Sequence, residues 1–326
     1  MSPMSRSNFR TAPSAVFHSV LSAVFLLLLV AVAGCTARPS AEYYEKLVVK
    51  LRAEGKLRTE TAPQNAPYDA ADLVRNFERI ALHHEARITR PGSEGNWVEN
   101  PLQRWAGPLN YRLSGAAVTA ADRAEVGSLM GRIAGLTGLE ISETETGWNF
   151  LILITTPEEH EEFSAVLAQL LPATAKTFDL WRKTPRLICV AHNLFSGENP
   201  NVIVTGLVSI GSETGGMLRR ACLHEEIVQT LGLANDHPEV RPSIFNDDGE
   251  FALLTEHDEQ LLRILYDPRL EPGMSAAQAM PVVERIVAGI ALDRPAARLA
   301  GGAAAGAPVA GPAGSLAPSA QDAPGN

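Results

Sequence analysis

Basic side chains are scarce in this sequence of 326 residues, which has 28 Lys and Arg against 37 Asp and Glu and a formal net charge of −9. A protein that binds nucleic acid needs a basic face to neutralise the phosphates, so the deficit argues against a nucleic-acid partner. The hydrophobic share of 45% is ordinary for a folded protein with a core.

The N-terminal region also lacks an apolar run as long as a transmembrane helix usually needs. The run Ala23–Ala33 contains no polar residue, but it is much shorter than the ~20 residues that a transmembrane helix needs. Arg6 and Arg10 precede it as a basic segment. A short apolar run behind basic residues is typical of a secretory signal peptide.

The apolar run ends in Val32-Ala33-Gly34-Cys35, which resembles the lipobox of bacterial lipoproteins. The resemblance predicts that residues 1–34 are removed and that Cys35 is lipidated. The membrane is then a partner through this anchor, and the protein lies in the cell envelope, facing the periplasm. Thr36, in place of an Asp, slightly favours the outer membrane. A plain membrane anchor with an incidental cysteine is the alternative.

Cysteine is nearly absent from the rest of the chain, where only Cys189 and Cys222 occur. An even pair in an oxidising compartment favours a disulfide. Closing a loop of this length would stabilise the fold by about 3–4 kcal/mol. Two buried thiols, or a metal-binding role for one of them, are the alternatives.

Helical and strand-like patterns interleave without strict alternation, which predicts an α+β fold. We expect an N-terminal helix and linker over residues 35–68 and a globular domain over residues 69–290. An Ala/Gly/Pro-rich tail over residues 291–326 has too few large apolar side chains to form a core.

Periodicity and capping residues predict the individual elements of the globular domain. Helices are predicted over residues 70–85, 119–133, 217–231 and 256–266, and a further helix is predicted to begin at Pro157. His83 and His84 close the first of them. Predicted strands are 108–113, 139–142, 149–155, 186–191 and 202–210.

The candidate catalytic and metal-binding residues lie in the sequence CLHEEIVQTLGLANDH, which begins at Cys222. It resembles the metzincin branch of zinc proteases, whose signature is H-E-x-x-H-x-x-G-x-x-H followed by a Met-turn. Anchored on Gly232, the resemblance places Glu225 and Gln229 at the first two ligand positions. Glu226 becomes the general base and Asn235 the third ligand. The fold that it implies is a metzincin-like domain with a mixed sheet, an active-site-type helix and a C-terminal helix.

The ligands depart from that signature, because all three histidines are missing. A register that starts at His224 restores H-E but puts Val228 at the second ligand position. Glu225, Gln229 and Asp236 offer oxygen atoms that could hold one divalent metal ion, although an amide is a weak ligand. Ligand count argues against zinc proteolysis.

Several separated stretches together resemble a proteobacterial lipoprotein domain family of unknown function. The resemblance covers most of residues 50–275 and implies no substrate. The stretches are LRTETAPQNAPYDAADLVRNFERIAL, RW-x-G-P-L, CLHEEIVQTLGLAND, PSIFNDD and LTEHDEQLLRILYDPRLEPGM.

Three functions remain open at this point. The first is a non-catalytic envelope lipoprotein that binds a peptide or an envelope protein in the cleft where a zinc protease of this type would bind its substrate. The second is a metal-dependent peptidase with Glu226 as its base, and the third is a purely structural envelope component.

Overall fold

A computed structural model describes residues 39–85, 97–184, 187–246 and 248–293. The predicted signal peptide, Cys35 and the chain beyond residue 293 lie outside the described residues. The described residues belong to one compact unit.

Described helices and strands alternate irregularly along this unit. The helices are α1 (Ala41–Ala53), α2 (Ala70–Ala81), α3 (Ala120–Thr137), α4 (Pro157–Leu170), α5 (Pro172–Lys183), α6 (Gly216–Gln229), α7 (Glu256–Leu265) and α8 (Ala276–Asp293). The strands are β1 (His83–Glu85), β2 (Trp97–Glu99), β3 (Arg104–Trp105), β4 (Leu109–Ser114), β5 (Ile141–Glu143), β6 (Phe150–Thr155), β7 (Cys189–Phe195) and β8 (Val202–Gly211).

The main sheet has six strands, with β5, β4, β6 and β8 adjacent in that order and parallel to one another. β7 pairs with β8 in the antiparallel direction. Ile203 of β8 pairs with Trp105 of β3 and with Phe195 of β7, so these two strands lie on opposite sides of β8. β7 therefore forms the antiparallel edge of a mixed sheet, which confirms the predicted α+β class.

Helices cover both faces of the sheet. Phe150, Ile152 and Ile154 of β6 pack in the large core with α2, α3, α6, α7 and α8. The intervening Leu151 and Leu153 pack in a smaller cluster that includes residues of α4 and α5. A strand buried on both faces reads as a continuous apolar run, and this explains the sequence of β6.

Four helices begin at a capping box, in which the side chains of the cap and of the third helical residue each accept a backbone N–H. Local sequence is sufficient for this signal, so these starts were predictable. The caps are Asp69 of α2, Thr119 of α3, Thr156 of α4 and Thr255 of α7.

The prediction that α2 extends to Glu85 is wrong. α2 ends at Ala81, and His83–Glu85 forms β1, which pairs in the antiparallel direction with Trp97–Glu99. The partner strand supplies backbone hydrogen bonds that compete with another helical turn, and helical periodicity does not register that partner. Helices α5 and α8, the second of which extends to Asp293, were not predicted from the sequence.

The predicted disulfide between Cys189 and Cys222 is confirmed, with an S–S distance of 2.05 Å. It joins edge strand β7 to helix α6 and therefore ties the edge of the sheet to the helix that carries the metzincin-like motif.

Candidate functional site

A bend after α6 shapes the region that carries the motif. Gly232 has a φ of +112°, a region that favours glycine. A Cβ there would lie 2.0 Å from the backbone oxygen of Gln103. Trp105 holds the end of the helix, because its indole Nε1–H donates to the carbonyl of Thr230 at 2.9 Å. The glycine therefore permits a sharp turn that another residue would obstruct.

Glu226, the predicted general base, is buried, with 6% of its surface exposed. Among the described residues, no hydrogen bond to its carboxyl group is found. Burial, and secondarily the negative charge of Asp236, raise the pKa of Glu226 to about 8. The carboxyl group is thus mainly protonated at neutral pH in this arrangement.

Gln229 and Asp236, two of the three predicted metal ligands, lie together across the bend. The Gln229 amide Nε2 donates to the Asp236 carboxylate, 3.3 Å from Oδ1 and 3.5 Å from Oδ2. Glu225, the third, is half-buried on α6. Adjacent residues on a helix point about 100° apart, so Glu225 and Glu226 face different surroundings.

Asn235, at the third ligand position of the resemblance, is directed to α2. Its Nδ2 donates to the carbonyl of Arg79 at 2.7 Å, and its backbone N–H donates to the carbonyl of Ile80 at 3.2 Å. The side-chain amide is therefore used to fasten the segment after Gly232 to the core.

His224 has a structural arrangement that the sequence analysis missed. Its Nδ1 accepts the backbone N–H of Leu254 at 3.0 Å, so Nε2 carries the proton and donates to Oε1 of Glu125 at 2.8 Å. Arg220 donates two hydrogen bonds to the same carboxylate, each 3.0 Å long. The spacing of Arg220 and His224, four residues apart on one helix face, was the available signal.

The electrostatics of this cluster follow from its burial. Burial lowers the pKa of His224, and Glu125 offsets that effect only in part. Burial favours the neutral form of Glu125, but hydrogen bonds from Arg220 and His224 outweigh it and hold the pKa of that carboxyl below its usual value.

The metzincin resemblance places Ser243–Asn246 where the Met-turn would lie, with Phe245 at the position of the Met, and this segment is tightly held. Phe245 is fully buried and its carbonyl accepts the backbone N–H of His237 at 2.9 Å. Asp258, fully buried on α7, accepts the Ser243 hydroxyl and, at 3.2 Å, the backbone N–H of Ile244. This turn and the segment after Gly232 are consequently linked to each other and to α7.

Edge strand β7 runs beside the same helix. Among the described strands, β8 is its one partner, so the other edge of β7 faces no strand. The Asn193 side chain points toward α6, and its Nδ2 donates to the carbonyl of Thr230 at 3.4 Å.

The donor chemistry does not fit zinc. Structural and catalytic zinc sites use His and Cys ligands, and this bend offers one amide and several carboxyl groups. Within the described ranges, no group of three or more His, Cys, Asp or Glu side chains is arranged to hold a metal ion.

A family model for the domain described as "Protein of unknown function (DUF2927)" matches residues 70–285, about two thirds of the chain. The chain belongs to this family. The matched region begins at the first residue of α2 and ends inside α8, so the family domain includes the whole main sheet, α6 and the bend. No curated protein matches the chain. Across the described part of the chain, no helix combines the length and the apolar character that a membrane span needs.

Proposed function

We propose that this protein is an exported lipoprotein, anchored through Cys35, whose family domain retains a zinc-protease-like framework but binds a peptide or an envelope protein without cleaving it. The observation that carries the proposal is the geometry at the predicted ligand positions. The Gln229 amide donates to the Asp236 carboxylate, and the Asn235 amide donates to the carbonyl of Arg79, so both amides are engaged within the protein. The histidines that a zinc protease needs are absent from these positions.

The shape of the framework supports the proposal. The Gly232 bend, the buried turn at Phe245 and the closing helix α7 occur in the order that the metzincin resemblance implies. At the ligand positions, however, Gln229 donates to Asp236, and Asn235 donates to α2. The polar side chains therefore stabilise the framework instead of presenting nitrogen ligands.

The occupant that suits this framework is an extended peptide. A strand edge without a strand partner offers backbone donors and acceptors to an extended chain. β7 presents such an edge beside α6, and the Cys189–Cys222 disulfide holds the strand in place.

A second candidate is a metal-dependent peptidase with an unusual ligand set. Its support is the approach of the Gln229 amide to Asp236, whose negative charge also acts on the buried Glu226. Oxygen ligands suit Mg²⁺, Ca²⁺ or Mn²⁺ better than zinc.

Metal content separates the two candidates. A chain of residues 39–326 would be purified without chelator or His-tag and measured by elemental mass spectrometry after equilibration with each cation. We expect no stoichiometric metal. About one metal per chain, lost in Glu225→Ala and Gln229→Ala but kept in the exposed control Glu239→Ala, would favour the peptidase.

Peptide binding is tested by selection from a random peptide library, followed by hydrogen exchange. We expect a selected peptide to protect backbone amides of Cys189–Phe195 and to remain intact by mass spectrometry after prolonged incubation. Cleaved peptide, or protection elsewhere with no change in β7, would contradict the proposal.

The anchor is tested on the full chain expressed in a bacterium with two membranes. We expect the intact mass of the membrane-extracted protein to show loss of residues 1–34 and a gain of acyl groups. Cys35→Ala should abolish both changes. An unprocessed chain in the membrane would indicate an ordinary anchor.

A further inference from the structure

The hairpin formed by α4 and α5 exposes aliphatic side chains at its tip. Leu170, the last residue of α4, is 71% exposed, and Val166, one turn earlier, is 51% exposed. Leu171 alone connects the two helices and is 36% exposed. Contiguous exposed apolar side chains of this kind mark a surface that something else covers.

Charge is nearly absent from the same tip. Between Glu162 and Asp179 the sequence FSAVLAQLLPATAKTF contains a single charged residue, Lys176. The chain as a whole has an excess of acidic residues. An anionic lipid surface would therefore repel this tip less than it repels the acidic remainder of the protein.

The topology places two exposed aromatic rings toward the same end of the sheet. α4 leaves the carboxyl end of β6 and returns over it, because Leu167 packs with Leu151 in the smaller core cluster. The tip therefore lies toward the amino end of β6, which Trp148 precedes by two residues. Phe195 ends antiparallel β7 opposite Ile203, near the start of β8.

We propose that the tip of the α4–α5 hairpin, formed by Val166, Leu170 and Leu171, docks into the lipid surface of the envelope membrane. This inference rests on the proposed lipoprotein anchor. Ser40, the cap of α1, lies only five positions after Cys35. That length spans at most ~18 Å, so an anchored domain would lie against the membrane.

The composition of the tip favours lipid over a protein partner. Protein interfaces are enriched in aromatic residues, Met and Arg around a flat or concave centre. Among the described side chains of this tip, the large exposed apolar ones are Val166, Leu170 and Leu171, and Gln169 and Lys176 are exposed beside them. Aliphatic side chains next to a lysine suit the boundary between acyl chains and headgroups.

Vesicle flotation tests the proposal with residues 39–326, a chain that contains all of the described residues but lacks Cys35 and hence the proposed lipid anchor. Wild-type protein should float with vesicles of phosphatidylethanolamine and phosphatidylglycerol, and added salt should leave most of this binding intact. The double variant Leu170→Ser/Leu171→Ser should lose about tenfold in partition, since two apolar side chains leave the membrane. Val49→Ser, which changes an equally exposed residue of α1, should bind as wild type does.

A second readout does not depend on loss of binding. Leu170→Trp should show a blue shift of its added fluorescence when vesicles are present, because the indole enters an apolar environment. Wild-type protein that stays in the aqueous fraction, a double variant that floats equally well, or a Leu170→Trp spectrum that does not respond would each overturn the docking proposal. Because the chain used in this experiment, residues 39–326, lacks Cys35, such a result would not bear on lipidation. The intact-mass experiment tests lipidation separately.

Discussion

The imidazole of His224 donates from Nε2 to Oε1 of Glu125 over 2.8 Å, while its Nδ1 accepts the backbone N–H of Leu254. Three distant parts of the chain, namely α6, α3 and the segment before α7, meet at this one ring. The residue that resembled the start of a zinc motif thus serves as a buried structural link.

Replacing His224 by Ala should lower the free energy of unfolding by about 2–4 kcal/mol, because the Leu254 N–H loses its buried acceptor. Chemical denaturation measures the change. His84→Ala, at an exposed histidine, should stay within about 0.5 kcal/mol of wild type. A similar loss in both variants would contradict the structural role of the ring.

Acid should weaken the fold through the same residue. Burial lowers the pKa of His224 in the folded state, so the unfolded chain binds a proton at higher pH than the folded chain does. Stability is therefore retained above the unfolded pKa of about 6.5 and falls as the pH decreases below it. Denaturation midpoints across this range should show a smaller slope in His224→Gln than in wild type.

A rise in pH between the ordinary carboxyl pKa and about 8 should weaken the fold through Glu226, with the opposite sign. Its pKa is raised to about 8, so the folded state holds a proton that the unfolded state has lost. Stability is greatest below the ordinary carboxyl pKa and declines as the pH rises through about 8. Glu226→Gln should remove this decline and unfold at higher denaturant than wild type above that pH. Glu225→Gln is the matched control, and an equal gain there would refute the assignment.

Gly232→Ala should cost at least about 3 kcal/mol, because a positive φ is combined with a Cβ that meets the Gln103 carbonyl. Gly138 provides the control, since its φ is +72° and a Cβ there would have nothing within 4 Å. Gly138→Ala should cost only about 1 kcal/mol. Equal losses by thermal denaturation would show that the close approach at Gly232 has no energetic effect.

Removing the disulfide by Cys189→Ala/Cys222→Ala should lower stability by about 3–4 kcal/mol, because the cross-link closes a loop with a sequence separation of 33. Hydrogen exchange should show the loss first in β7, the edge strand that the disulfide ties to α6. Unchanged exchange in β7 would argue that α5 and β8 hold the strand without the cross-link.

Helix starts were predictable because their signals are local. Thr119 and Thr255 each cap a helix through the residue three positions later, an interaction contained in four consecutive residues. The helix that resembles a zinc-protease motif was also placed to within two residues, as Gly216–Gln229 against a predicted 217–231. The β1 strand was not predictable in this way, because it depends on pairing with Trp97–Glu99.

The sequence by itself determined the α+β class and the candidate disulfide pair, because composition and short-range periodicity carry that information. Tertiary structure alone decided that Glu226 is buried with a raised pKa, that Gln229 meets Asp236, and that His224 pairs with Glu125. Each of these properties depends on side chains packed against a helix face, and the desolvation that sets a pKa exists only once distant segments have come together.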